Sequence, residues 1–130
     1  MMKRLLMGLM LLMTATAASA EWILVGDNDE FIQYVDRTTI RRNGNLVKIW
    51  GLRDFKTVQK AADGQSYLSS KTQEEYDCKE EKVRMLAFTV YDGKMGNGKV
   101  VESVYDATRW IPIAPESIGE AKWKKACGKK

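Results

Sequence analysis

Glu75-Tyr76-Asp77-Cys78 ends a polar run that begins at Ser66 and carries the first of only two cysteines in the chain. Tyr67, Ser69-Ser70 and Thr72 favour a strand, and no apolar stripe of helical period crosses the segment. Ser66–Asp77 therefore reads as a strand with one exposed face. The one intramolecular partner for Cys78 is Cys127, three residues from the C-terminus. Joined, the pair closes a loop of about 50 residues and pins the tail across the middle of the domain, worth about 4 kcal/mol in the chain-entropy account. Two free thiols and a metal pair are the alternatives, and two cysteines in a chain without histidine make a poor zinc site.

The N-terminus decides the compartment. Lys3 and Arg4 precede an apolar run, Leu5 to Met13, and Ala18-Ser19-Ala20 follows as a small-residue cleavage site. That order is a secretory signal peptide over residues 1–20, and its apolar run is too short to span a bilayer, which disfavours a membrane anchor. No cysteine stands at the cleavage site to take a lipid. A chain processed before Glu21 is expected to be exported, periplasmic or secreted to the surface of a Gram-negative-type bacterium, with neither a transmembrane segment nor a lipid anchor. In that oxidising setting the Cys78–Cys127 disulfide is the default. Residues 21–130 suffice for one domain. Without Lys3 and Arg4, 19 basic residues face 17 acidic ones, a net charge of +2. So mild an excess does not point to nucleic acid.

Outward from Cys78 the pattern is one of strands. Glu21–Gly26 is a short apolar strand with Trp22 covering an edge of the core. Phe31–Ile40 alternates loosely, placing Phe31, Gln33, Val35 and Arg37 on one side. Asn43-Gly44 before Leu46–Phe55 is a hairpin signal of type I′. Leu46–Phe55 is apolar on both faces, as a central strand is. Lys56–Gln65 reads as a linker turning at Asp63-Gly64, Lys79-Glu80-Glu81 as a tight connection, and Lys82–Asp92 as the clearest strand. Three glycines in Gly93–Gly98 make a hairpin loop flexible or of positive φ before a strand at Val100–Tyr105. Pro112 and Pro115 punctuate an extended segment. Ser117-Ile118-Gly119-Glu120 fits a capping box opening a helix, Ile118–Cys127, that Gly128 ends. Ile118, Ala121, Trp123, Ala126 and Cys127 would form its buried side. The predicted fold is α+β: an antiparallel, mostly meandering sheet of about five to six strands, with a C-terminal helix on one face and one disulfide.

The residues offer little chemistry. Histidine is absent, and with it the commonest general base and metal ligand. Bridged cysteines leave no thiol nucleophile. No serine stands in a Gly-x-Ser-x-Gly setting, and Ser69-Ser70-Lys71 shows nothing that would desolvate the lysine into a base. Glu74, Glu75, Asp77, Glu80 and Glu81 alternate with Lys71, Lys79, Lys82 and Arg84, the pattern of a solvated, salt-bridged surface. Asp27-Asn28-Asp29-Glu30 lacks the spacing of a calcium loop, and Gly93–Lys99 lacks that of a phosphate loop. No catalytic, metal or cofactor site is assigned, and the chain reads as a non-enzyme. What remains for binding is a patch for an anionic partner, such as a sulfated polysaccharide or an acidic protein. Its residues are Arg37, Arg41 and Arg42 beside the first hairpin, with Lys122, Lys125 and Lys129 at the C-terminus.

Tyr34-Val35-Asp36 with Ile40, Gly44-Asn45-Leu46-Val47 leading into Ile49-Trp50, Ser69 with Lys71, and Glu75-Tyr76-Asp77-Cys78 form an ordered series. Gly96-Asn97-Gly98 with Val100, Trp110 with Ile113, Pro115-Glu116-Ser117 and Cys127-Gly128 continue it. In this series the chain resembles the surface-adhesin protein E family of small exported bacterial proteins. The resemblance implies an antiparallel sheet with a C-terminal helix and a disulfide at the positions of Cys78 and Cys127. Members with an assigned role are surface adhesins that bind host extracellular-matrix or serum proteins, so a protein partner is expected, and sheet-edge pairing leaves a homodimer open. The alternative is a soluble periplasmic accessory protein or hydrolase inhibitor.

Overall fold

The computed structural model describes residues 20–130, so the expected signal peptide lies, apart from Ala20, outside the described residues. The strands are β1 (Trp22–Asp27), β2 (Phe31–Asn43), β3 (Leu46–Lys60), β4 (Ser66–Asp77), β5 (Lys82–Tyr91), β6 (Val100–Val104) and β7 (Ile111–Pro112), and the helix is α1 (Ile118–Cys127). The first six pair antiparallel in chain order, and β7 joins β5 as well. The meander and its terminal helix are those predicted. The two-residue β7 replaces part of what had read simply as an extended, proline-punctuated segment.

Three differences from the predicted strands have local causes. The first hairpin turns at Gly44-Asn45, with Asn43 paired to Leu46. Gly44 has φ +60° while Asn45 has no positive φ, which is the demand of a II′ turn rather than the expected I′. β3 runs on to Lys60 because residues 55–58 bulge against one residue of β4, between the pairs Asp54–Ser69 and Gln59–Tyr67. The bulge curls a strand whose last third, 56–60, reads as linker in the sequence. The glycine loop between β5 and β6 is folded back onto the sheet. The Met95 amide donates to Asp54 Oδ1 (2.9 Å) and the Gly96 amide to Ser69 Oγ (2.8 Å), while Ser69 Oγ donates to the Gly93 carbonyl (2.6 Å). Positive φ occurs at Met95, Gly96 and Gly98, as the glycine content predicted.

The helix is built by its caps. Ser117 Oγ accepts from the Glu120 amide at 3.1 Å, and Gly128 ends the last turn at φ +67°. Its apolar side closes the core with Val35, Val47, Ile49 and Tyr76, to which it contributes Trp123, Ala126 and Cys127. Trp123 Nε1 donates to the Asp77 carbonyl (3.1 Å), and Cys127 is disulfide-bonded to Cys78 with Cα atoms 5.6 Å apart. The opening stretch is thus held to the helix twice, by a covalent bond at Cys78 and a hydrogen bond at Asp77.

Candidate functional site: an amphipathic groove beside the helix

Strand alternation puts Gln33, Arg53, Phe55, Ser70, Thr72 and Glu74 on the same sheet face as the helix. The helix covers part of that face, over Val35, Val47, Ile49 and Tyr76. Beside it these residues line a groove of about 340 Å³, together with Gly51, Tyr67, Met85, Phe88 and Lys122. Phe55 and Tyr67 meet edge to face at 5.6 Å, and Phe55 meets Phe31 at 5.9 Å, so one end is an aromatic wall. The volume lies in the range of small-ligand sites and also suits one or two side chains of a docked segment.

Arg53 is the polar feature that is both positioned and unspent. Its Nε donates to Gln33 Oε1 (3.1 Å), and its guanidinium lies 4.3 Å from the Phe31 ring centroid. Gln33 is almost wholly buried and is fixed in turn by Nε2 donating to the Tyr34 and Leu52 carbonyls (3.0 and 3.2 Å). Gly51 makes room for this: a Cβ there would stand 3.1 Å from Gln33 Nε2. Stacking and one hydrogen bond fix the guanidinium plane, while its two terminal nitrogens have no protein partner among the described residues. Such a fork suits bidentate binding of a carboxylate.

The opposite wall is an ion pair. Lys122 Nζ lies 2.5 Å from Glu74 Oε1, with the lysine side chain 6% and the glutamate 17% exposed. The Tyr76 hydroxyl is buried close by without a hydrogen bond. Burial, and then the Glu74 charge, push its phenol well above the ordinary tyrosine range.

This corrects two expectations. Lys122 belongs to no solvent-exposed patch: it is one i,i+4 step from buried Ala126, and the helix turns it inward onto Glu74. The carboxylates of the opening stretch are also not a solvated surface. Glu75 is buried and held by Arg84, whose Nη2 is 2.6 Å from Glu75 Oε1 while its guanidinium lies 4.7 Å from the Trp110 ring. Asp77 Oδ1 caps the β4–β5 turn, accepting from the amides of Lys79 and Glu80. The strand Ser66–Asp77, expected to have one exposed face, is thus partly covered on both.

The rest of the expected patch is exposed: Arg37, Arg41, Arg42, Lys125 and Lys129. The Cys78 amide donates to the Asn45 carbonyl (2.8 Å), and Cys78 is bonded to Cys127. The first hairpin tip and the helix end therefore share one end of the molecule. Arg41 is turned back on its own bulge, donating to the Ile40 carbonyl at 2.9 Å. Ser69 is spent on the glycine loop, and Lys71 Nζ sits 5.1 Å from the Tyr91 ring and 5.9 Å from the Trp22 ring.

The groove was missed in the sequence, although Gln33 between Phe31 and Val35 was a visible anomaly on a core-facing strand side. Arg53 carried no signal of its own, because its value depends on the side chains that orient it.

A family profile described as surface-adhesin protein E matches residues 22–128. The chain belongs to the surface-adhesin protein E family. Membership makes it an exported, surface-adhesin-like protein. The fold is similar to that of Haemophilus influenzae protein E, with a TM-score of 0.66 at 13% identity over 87% of this chain and 88% of that one. A second crystal form of that protein gives 0.63 at 11% identity, covering 85% and 97%. Protein E from non-typeable Haemophilus influenzae gives 0.64 at 13%, covering 87% and 79%. Comparison with curated protein sequences gives no match. At these identities the likeness is one of fold. No helix among the described residues is long and apolar enough to cross a membrane.

Proposed function

We propose that this protein is a non-enzymatic binding protein that engages an extracytoplasmic protein, of the host matrix or serum class, through the groove beside α1. The observation that carries this reading is Arg53, oriented by Gln33 and Phe31 with its terminal nitrogens unspent. An acidic side chain of the partner would take that fork, while an apolar neighbour rests against Phe55, Tyr67 and Phe88. Exposed Arg37, Arg42, Lys125 and Lys129 supply a second, longer-range attraction for an acidic surface and act on association rate more than on affinity.

The test is binding of the purified mature protein to immobilised matrix and serum proteins, beside its Arg53→Gln variant. Charge-assisted hydrogen bonds contribute about 1.5–3 kcal/mol, so the variant should bind roughly ten- to a hundredfold more weakly. Equal binding by Arg53→Gln would remove the groove from the account. Retention by no matrix or serum protein, with the chain confined to the periplasmic extract and inaccessible to antibody on intact cells, would refute the adhesin reading.

A further inference from the structure

Asp36 is a buried carboxylate, 2% exposed, with no cation within ion-pair distance among the described residues. One oxygen is fully used: Oδ1 accepts from the Thr38 amide (2.9 Å) and the Thr38 hydroxyl (2.5 Å). Among the described residues the other, Oδ2, receives only the backbone amide of Glu21, at a long 3.3 Å. These contacts sit in a bulge that sets residues 37–40 of β2 against Ile49 of β3. The bulge is closed by Thr39 Oγ1 donating to the Asp36 carbonyl (2.6 Å) and by the Trp50 amide donating to Thr39 Oγ1 (2.9 Å). The carboxylate is therefore held rigidly, on the sheet face opposite the helix, against the residue that follows the Ala18-Ser19-Ala20 cleavage signal.

We infer that proteolytic maturation completes this site: cleavage after Ala20 turns the Glu21 amide into an α-ammonium that pairs with Asp36. Hydrolysis adds one water across the Ala20–Glu21 bond. Ala20 leaves as a carboxylate, and the Glu21 nitrogen keeps its hydrogen and gains two protons, one from each side of the split water and carboxylic acid. The atom already at Asp36 then carries a positive charge in place of a neutral N–H, and charge-assisted contacts are shorter and about twice as strong. Ala20 also walls two hollows, of about 440 and 240 Å³, that share Asp36, Thr39 and Trp50. Its removal opens room for the ammonium to draw in. The other charged groups facing these hollows, Arg41 and Lys71, are cations that do not reach Asp36. Among the described residues the uncut chain therefore gives this buried carboxylate no cation, and the cut chain supplies one.

The test compares disulfide-intact chains beginning at Glu21 and at Ala20, each with Asp36 and with Asp36→Asn. The Glu21 chain should melt higher by several degrees, about 4–8 °C in a domain of this size, and the gap should close in Asp36→Asn. Equal melting of the two wild-type chains, or a gap that persists in Asp36→Asn, overturns the inference. Should Asp36→Asn fail to fold, a semisynthetic Glu21 chain with an acetylated α-amino group takes its place. It must lose the same several degrees, and no loss overturns the inference. N-terminal sequencing of the exported protein must find Glu21, and any other first residue overturns it.

Discussion

Replacing Lys122 by Met tests whether the inward turn of this lysine holds the helix to the sheet or merely fills space. Methionine keeps the stem and removes the charge, leaving the Glu74 carboxylate alone beside the buried Tyr76 hydroxyl. Breaking a fully buried pair in this way costs about 3–5 kcal/mol, because the remaining charge is uncompensated. Glu74 keeps 17% exposure through the groove, and water reaching it relieves part of that cost. We therefore expect about 2–3 kcal/mol, and a melting temperature lower by roughly 10 °C for a domain of this length. Urea unfolding with the disulfide intact gives the free energy. Glu74→Gln and the double variant complete a cycle whose coupling should exceed about 1 kcal/mol. A Lys122→Met protein within about 0.5 kcal/mol of wild type, or strictly additive single changes, would show that the pair is solvated in solution and would refute the argument.

Tyr76→Phe removes a buried hydroxyl that has no hydrogen-bond partner, so urea melts should show stability unchanged or raised by up to about 1 kcal/mol; a loss above that would reveal a missed partner. The raised phenol pKa fixes a sign as well. The native state disfavours the phenolate, so stability is full below the ordinary tyrosine range and falls as pH rises through it and on towards the folded value. Alkaline melts should show a shallower fall above about pH 10 in Tyr76→Phe than in wild type. Replacing both Cys78 and Cys127 by Ser should cost about 4 kcal/mol by urea unfolding, and a cost below about 1 kcal/mol would mean that the hydrogen bond from Trp123 and the packing around it already fix the helix.

The elements legible in the sequence are those set by short-range chemistry. Ser117, Glu120 and Gly128 mark both ends of α1, and the β4 and β5 limits follow from turn residues that bound runs of strand-forming side chains. Cys78 and Cys127 were legible because each had one partner. The misread side chains are those whose charge is placed in three dimensions. Lys122 and Glu74 stand 48 positions apart, and Glu75 meets Arg84 only because β4 and β5 pair in that register. One-dimensional alternation of acid and base looks the same whether the pairs are wet or buried. Arg37-Thr38-Thr39-Ile40 shows the same limit for the backbone: polar residues inside a strand are ambiguous until Asp36 organises them into a bulge.

The groove follows from a mismatch of lengths. α1 has 10 residues, about 15 Å of helix, while β3 has 15, about 50 Å when extended. Ser117 and Gly128 stop the helix at both ends, and the disulfide anchors it at the Cys78 end of the sheet. It can therefore cover only part of the face. Had the remainder been built to take a second permanent layer, its side chains would continue the apolar pattern of Val35, Val47 and Ile49. Instead Gln33, Ser70 and Thr72 interleave with Phe55 and Tyr67, a surface that tolerates water until something displaces it. Arg53→Gln removes the Nε donor from which buried Gln33 Oε1 accepts, so it should lower the unfolding free energy by about 1–2 kcal/mol. Lys122→Met, on the wall that the helix does seal, should cost more. Weakened binding in Arg53→Gln with a stability loss of no more than about 2 kcal/mol would assign the binding loss to recognition, whereas a stability loss above about 3 kcal/mol would make Arg53 a structural residue and leave the groove without its anchor.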